Sequence, residues 1–156
     1  MKNWIFLCII ITCALLQITI LDYIKILNVK PDLVFISVVT ASIFLELRSA
    51  ILLSIFAGIL KDILSVNTVG INTLLFPLTS FIIIKLSRKI SLDNNLICMV
   101  SAFIIMLLND IIARAVFLFL GDFISWGIFL RTAFVESLYT ASVLPLVFKV
   151  IKPVLY

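Results

Sequence analysis

Few residues in this chain have the means to do chemistry, and those few lie inside apolar runs. Asp110 and Arg114 are four apart with Asn109 beside them, a spacing that puts acid and base on one helix face, within pairing reach. Glu136 belongs to a polar stripe of Thr132, Glu136 and Thr140, flanked by a small-residue stripe of Ala133, Ser137 and Ala141. Lys61 and Asp62 close an apolar segment whose small residues, Ala50, Ser54 and Gly58, also repeat every four positions. A carboxylate held in low dielectric needs a donor, so Glu136 calls for a partner. Small stripes let helix backbones approach closely where burial from water no longer drives association.

Catalytic patterns are not in the sequence. It has no His, which removes the commonest metal ligand and general base. There is no nucleophile elbow, glycine-rich phosphate loop, zinc spacing or carboxylate cluster suited to Mg²⁺. The expectation is a non-enzymatic protein without a cofactor. Cys8, Cys13 and Cys98 are odd in number and lie in apolar runs, where reduced, buried thiols pack as small hydrophobes.

The elements that must position these groups follow from composition. Of 156 residues, 64% are apolar and 13% charged, and mean hydropathy is +1.35. These values belong to an all-α integral membrane protein. The longest hydrophilic gap, Lys85 to Asn95, cannot house a soluble domain, so residues 1–156 form a single transmembrane domain. The net charge of +4 comes from Lys and Arg that mostly flank apolar runs, which fits membrane anchoring better than nucleic-acid binding.

Six spans are predicted, at about 4–21, 31–47, 49–64, 71–86, 96–120 and 128–147. The first is longer than a signal core and has no small-x-small cleavage site after it, so it is read as retained. The second opens at Pro31-Asp32, a proline with an acidic residue in the first helical turn. The tight turn at Glu46 to Arg48 makes spans two and three short, because one helix through 31–64 would bury both charges near its middle. The third leaves by a polar turn through Asn67 and Gly70. Pro77 predicts a kink in the fourth.

Basic residues orient the chain. With the N-terminus inside, Lys2, Arg48, Lys85, Arg88, Lys89, Lys149 and Lys152 face the cytoplasm, against Lys25, Lys30 and Lys61 outside. Both termini are then cytoplasmic. The same orientation gathers Lys61, Asp62, Asp110, Arg114 and Arg131 toward the outer half of the bilayer, where one polar cluster is expected to fix spans three, five and six.

Several of these features, in order, resemble the bacterial rod-shape-determining protein MreD family. They are the retained first span, Pro31-Asp32-Leu33, the turn at Glu46 to Arg48, Gly58-Ile59-Leu60-Lys61-Asp62, Gly70 and Leu74, and a last span closing on Pro145 and a basic tail. The chain departs from the family in being glycine-poor and in carrying Thr68-Val69 where a proline often precedes Gly70. The resemblance implies a scaffold subunit of the cell-wall elongation machinery (the elongasome of peptidoglycan synthesis) in the bacterial inner membrane. It would bind MreC and work with MreB, RodA and a class B penicillin-binding transpeptidase. It also implies a six-helix bundle similar to the substrate-binding S components of energy-coupling-factor transporters. The alternative function is such a transporter subunit, with Trp126, Asn67, Asn72 and Arg131 as sparse lining for a cavity. Against it, the first span offers only Ala14 among bulky residues as a docking position. Partner or helix-packing contacts are expected at Ser54, Gly58, Lys61, Asp62, Gly70, Asp110, Arg114, Arg131, Glu136 and Ser137.

Overall fold

Residues 2–19, 23, 29–64, 70–87, 95–119 and 125–155 are described by the computed structural model. They form six helices, α1 (Lys2–Thr19), α2 (Leu33–Phe44), α3 (Leu47–Leu64), α4 (Ile71–Ser87), α5 (Asn95–Phe119) and α6 (Trp126–Leu155). The polar connections expected at Asp22, Lys25, Asn67, Arg88, Lys89 and Gly121-Asp122 lie outside the described residues.

Helix α2 is the axis of the bundle. It packs against α1, α3, α4 and α6, and nine consecutive residues, Val34 to Ser42, are buried. A helix buried on every side has no polar face, so its hydroxyls must be satisfied from within. Ser37, Thr40 and Ser42 bond back to carbonyls three or four residues earlier. Ser42 also meets Ser80 of α4, hydroxyl to hydroxyl, at 2.8 Å. Phe35 stacks edge-on against Phe76 of the same helix.

The helix breaks where the charges demand it. Leu45 is extended and closes α2 by donating its backbone N–H to the Ala41 carbonyl, and Glu46, Leu47 and Arg48 are exposed. At the other end the expected start at Pro31 shifts to Leu33. Asp32 takes an extended conformation and its side chain accepts from the Phe35 amide, which makes it the N-cap rather than a residue of the first turn. The last helix runs to Leu155, beyond the expected end near 147, and passes through Pro145.

Contacts at the helix ends give an up-and-down arrangement. Asn3 bonds Ser49, placing the starts of α1 and α3 together. Gln17, near the end of α1, accepts from the Val34 amide at the start of α2. Phe44 and Phe148 meet at the other end of α2, so α2 and α6 run parallel. Two stretches are long and apolar enough to cross a membrane among the described residues, Met99–Val116 of α5 and Trp126–Ile151 of α6. Helices α1, α2 and α4 are apolar but shorter. Helix α3 carries Arg48, Lys61 and Asp62.

The tightest contact joins α3 to the start of α4. A Cβ on Gly58 would stand 2.6 Å from the Asn72 carbonyl oxygen and 2.6 Å from the Thr73 Cα. Both atoms are backbone, so neither can swing aside. Gly58→Ala is therefore expected to cost about 1–3 kcal/mol, as overpacking against a rigid neighbour does. Thermal unfolding of the variant in detergent or nanodiscs checks it, with Gly127→Ala, where a Cβ meets nothing within 4 Å, as the control.

Candidate functional site

The charged residues inside the bundle form two linked groups. The first is centred on Asp32, which is 1% exposed. One carboxylate oxygen caps α2 through the Phe35 amide, and the other pairs with Lys61 of α3. The Asp32 amide in turn donates to the Thr140 hydroxyl of α6. Lys61 also lies over the Phe76 ring, 5.2 Å from its centre, a cation–π contact that favours the charge where water is scarce. A helix start, a neighbouring helix end and the middle of α6 are thereby fixed to one residue.

Next to Lys61, Asp62 takes a different partner. Its carboxylate accepts from the Asn72 amide and side chain at 3.1 and 2.9 Å, and from the Thr73 amide and hydroxyl at 2.9 and 2.6 Å. These amides open α4, and a helix start presents unsatisfied N–H groups and the positive end of its dipole. Asp62 thus caps a helix other than its own. Gly70, at φ 80°, takes the left-handed conformation just before that helix begins. Gly58, one turn before Asp62, supplies the clearance that this approach requires.

The second group lies between α5 and α6. Asp110 and Glu136 are within electrostatic reach of each other and of Lys61 and Asp32. Arg114 interacts with both acids over the same range. Its guanidinium, however, lies over the Phe129 ring at 5.5 Å, and the direct Asp110–Arg114 pair expected from the spacing is not formed. Asn109 is buried, and its carbonyl oxygen and one oxygen of Asp110 have no hydrogen-bond partner.

Of the expected outer cluster, Lys61, Asp110 and Arg114 come together electrostatically. Asp62 is engaged by α4. Arg131 is exposed on α6. Ser54 and Ser137 are buried and bond back to their own helices. Three members of the network, Asp32, Asn72 and Thr73, are not among the residues expected at partner or helix-packing contacts. Asp32 was legible as a helix start, but its partner Lys61 is 29 residues away. Asn72 and Thr73 carried a weaker signal, polar residues opening a helix just after a lone acid.

The described cavity lies elsewhere. It is an apolar groove of about 660 Å³ between α1 and α6, lined by residues such as Trp4, Cys8, Thr12, Leu146 and Val150. Cys8 is exposed in it rather than buried, and both Cys8 and Cys13 are free thiols. Thr12 spends its hydroxyl on the Cys8 carbonyl, so the groove offers little polar recognition.

The buried ion pair makes a testable statement. Lys61→Met leaves Asp32 charged, buried and unpaired, and is expected to cost about 3–5 kcal/mol. Asp32→Asn keeps a capping side chain while removing the charge. In the double variant neither charge remains, so its loss should fall well below the sum of the two single losses. Thermal melts of the four proteins measure that coupling, and additive losses would deny it.

A family model described as rod shape-determining protein MreD matches residues 1–154. No curated protein and no solved structure matches the chain.

Proposed function

With the chain belonging to the MreD family of rod shape-determining membrane proteins, we propose that it is a non-enzymatic scaffold of the machinery that elongates the bacterial cell wall. The observation that carries this reading is the family match over residues 1–154. In this reading the six helices all cross the inner membrane, with both termini in the cytoplasm. The protein binds MreC by helix packing and couples it to the wall synthases, RodA and a class B penicillin-binding transpeptidase, and to MreB.

The architecture supports such a role. Asp32, Lys61, Asp62 and the hydroxyls of α2 are satisfied within the bundle, while the exposed charges Arg48 and Lys85 stand at helix ends. On α5 the exposed residues Val100, Ile104, Leu108, Ile111 and Ile112 form one face, and on α6 so do Leu130, Phe134 and Leu138. Faces of this kind suit lipid or a partner helix. The small stripe of α3, by contrast, is buried within the chain, with Gly58 against α4. Partner contacts are therefore assigned to the outer faces rather than to Ser54 and Gly58.

Purification of the full chain from its native membrane in nanodiscs, with mass spectrometry of proteins and small molecules, tests the proposal. MreC and wall synthases are expected to co-purify. Recovery of transporter-type ATPases or a retained vitamin instead would overturn the scaffold reading.

A further inference from the structure

Helices α1 and α6 both pack on α2, and the apolar groove of about 660 Å³ is the space left between them. Its lining on α1 begins at Trp4 and ends at Cys13, and on α6 it runs from Leu146 to Ile151. Nine steps of 1.5 Å make the groove about 13 Å long on α1, close to half of a hydrocarbon core about 30 Å thick. That length selects among occupants. A spanning helix of another protein, or of a second copy, needs a groove across the full depth, whereas a lipid acyl chain occupies one leaflet. The walls suit such a chain. Thr12 spends its hydroxyl on its own helix, and the rest of the lining is aliphatic, aromatic or thiol.

Polar recognition is instead available at the mouth. The groove reaches the end of the bundle that holds the start of α1 and the end of α6, where positive charge collects. Lys149 is exposed one place before Val150 and three after Leu146, which puts it at the rim. Lys2 and Lys152 belong to the first turn of α1 and the last turn of α6. Arg48, exposed in the first turn of α3, stands at the same end, because Asn3 bonds Ser49. Among the described residues Glu46 is the acid there. A half-depth apolar slot beneath a basic mouth is complementary to a molecule with an apolar chain and an anionic head. With the N-terminus in the cytoplasm, this mouth lies at the inner leaflet, where basic clusters meet anionic lipid.

We infer that the groove is a binding site for an anionic phospholipid of the inner leaflet, with one acyl chain between α1 and α6 and the phosphate headgroup at the basic helix ends. The inference rests on the six-span reading and not on which proteins the chain binds.

Trp4 reports on the groove that it lines. In the full chain carrying Trp126→Phe, Trp4 is the remaining tryptophan. Its fluorescence is read in phosphatidylcholine nanodiscs doped with brominated phosphatidylglycerol or, at equal mole fraction, with brominated phosphatidylcholine. Several-fold stronger quenching by the phosphatidylglycerol is expected. Replacing Lys2, Lys149 and Lys152 together by Gln should bring the two lipids level, and Cys8→Phe, which narrows the groove, should weaken the quenching itself. Equal quenching before any of these changes overturns the inference, since the groove then takes whatever lipid surrounds it. Quenching by neither lipid overturns it as well, because a protein segment then covers the groove, and so does a preference that survives both changes. The comparison of the two lipids precedes the lysine and Cys8 substitutions, so it does not depend on their folding. A chain that is not retained in the disc overturns the six-span reading and this inference with it, whereas the other failures overturn the inference alone.

Discussion

The start of α2 is the constraint on which the rest of the bundle depends. A helix that begins in a protein interior must have its first amides satisfied and its dipole matched by negative charge. Asp32 does both for α2, and as a buried carboxylate it then needs a cation of its own. Lys61 supplies it from α3, Gln17 takes a further amide from α1, and Thr140 holds the Asp32 backbone from α6. One local requirement thus recruits three other helices, and it explains why the central and most apolar element is anchored by polar contacts.

The approach of α3 to α4 follows the same logic with different parts. Asp62 is tied to the amides of a helix not its own, which places two backbones at the distance that Gly58 alone permits. The neighbouring residues Lys61 and Asp62 therefore make their carboxylate and amide bonds to different helices, one to the start of α2 and one to the start of α4. Consecutive positions on a helix point about 100° apart, so a single turn of α3 serves two partners.

Much of this was legible in the residues. The six apolar runs, the break at Glu46 to Arg48, and the run from Gly58 to Asp62 are local patterns, and local patterns survive the absence of tertiary information. Pairing was less legible. Asp110 and Arg114 have the spacing of an ion pair, yet the Phe129 ring on a neighbouring helix takes the guanidinium. Asp32 reads as a start signal, and its burial and its bond to Lys61 depend on how α2 and α3 pack. Depth alone puts Arg131 level with Asp62, but depth does not fix which way a helix faces, and Arg131 is exposed. Register along a helix is written in the sequence; rotation about its axis is settled by neighbours.

On the proposed six-span reading, the helix-to-helix cap at Asp62 also bears on how the chain enters a bilayer. Taken alone, α3 carries Arg48 in its first turn and Lys61 and Asp62 in its last, positions where a charge costs less than the about 2.5–3.5 kcal/mol of a helix centre but still favours a partner. The groups that accommodate Asp62 belong to α4, which leaves the ribosome later, whereas the partner of Lys61 has already been made in the preceding segment. Helices α3 and α4 are thereby suited to leave the translocon as a hairpin, with Asn72 and Thr73 emerging in time to meet the carboxylate. The order of synthesis and the order of pairing then coincide.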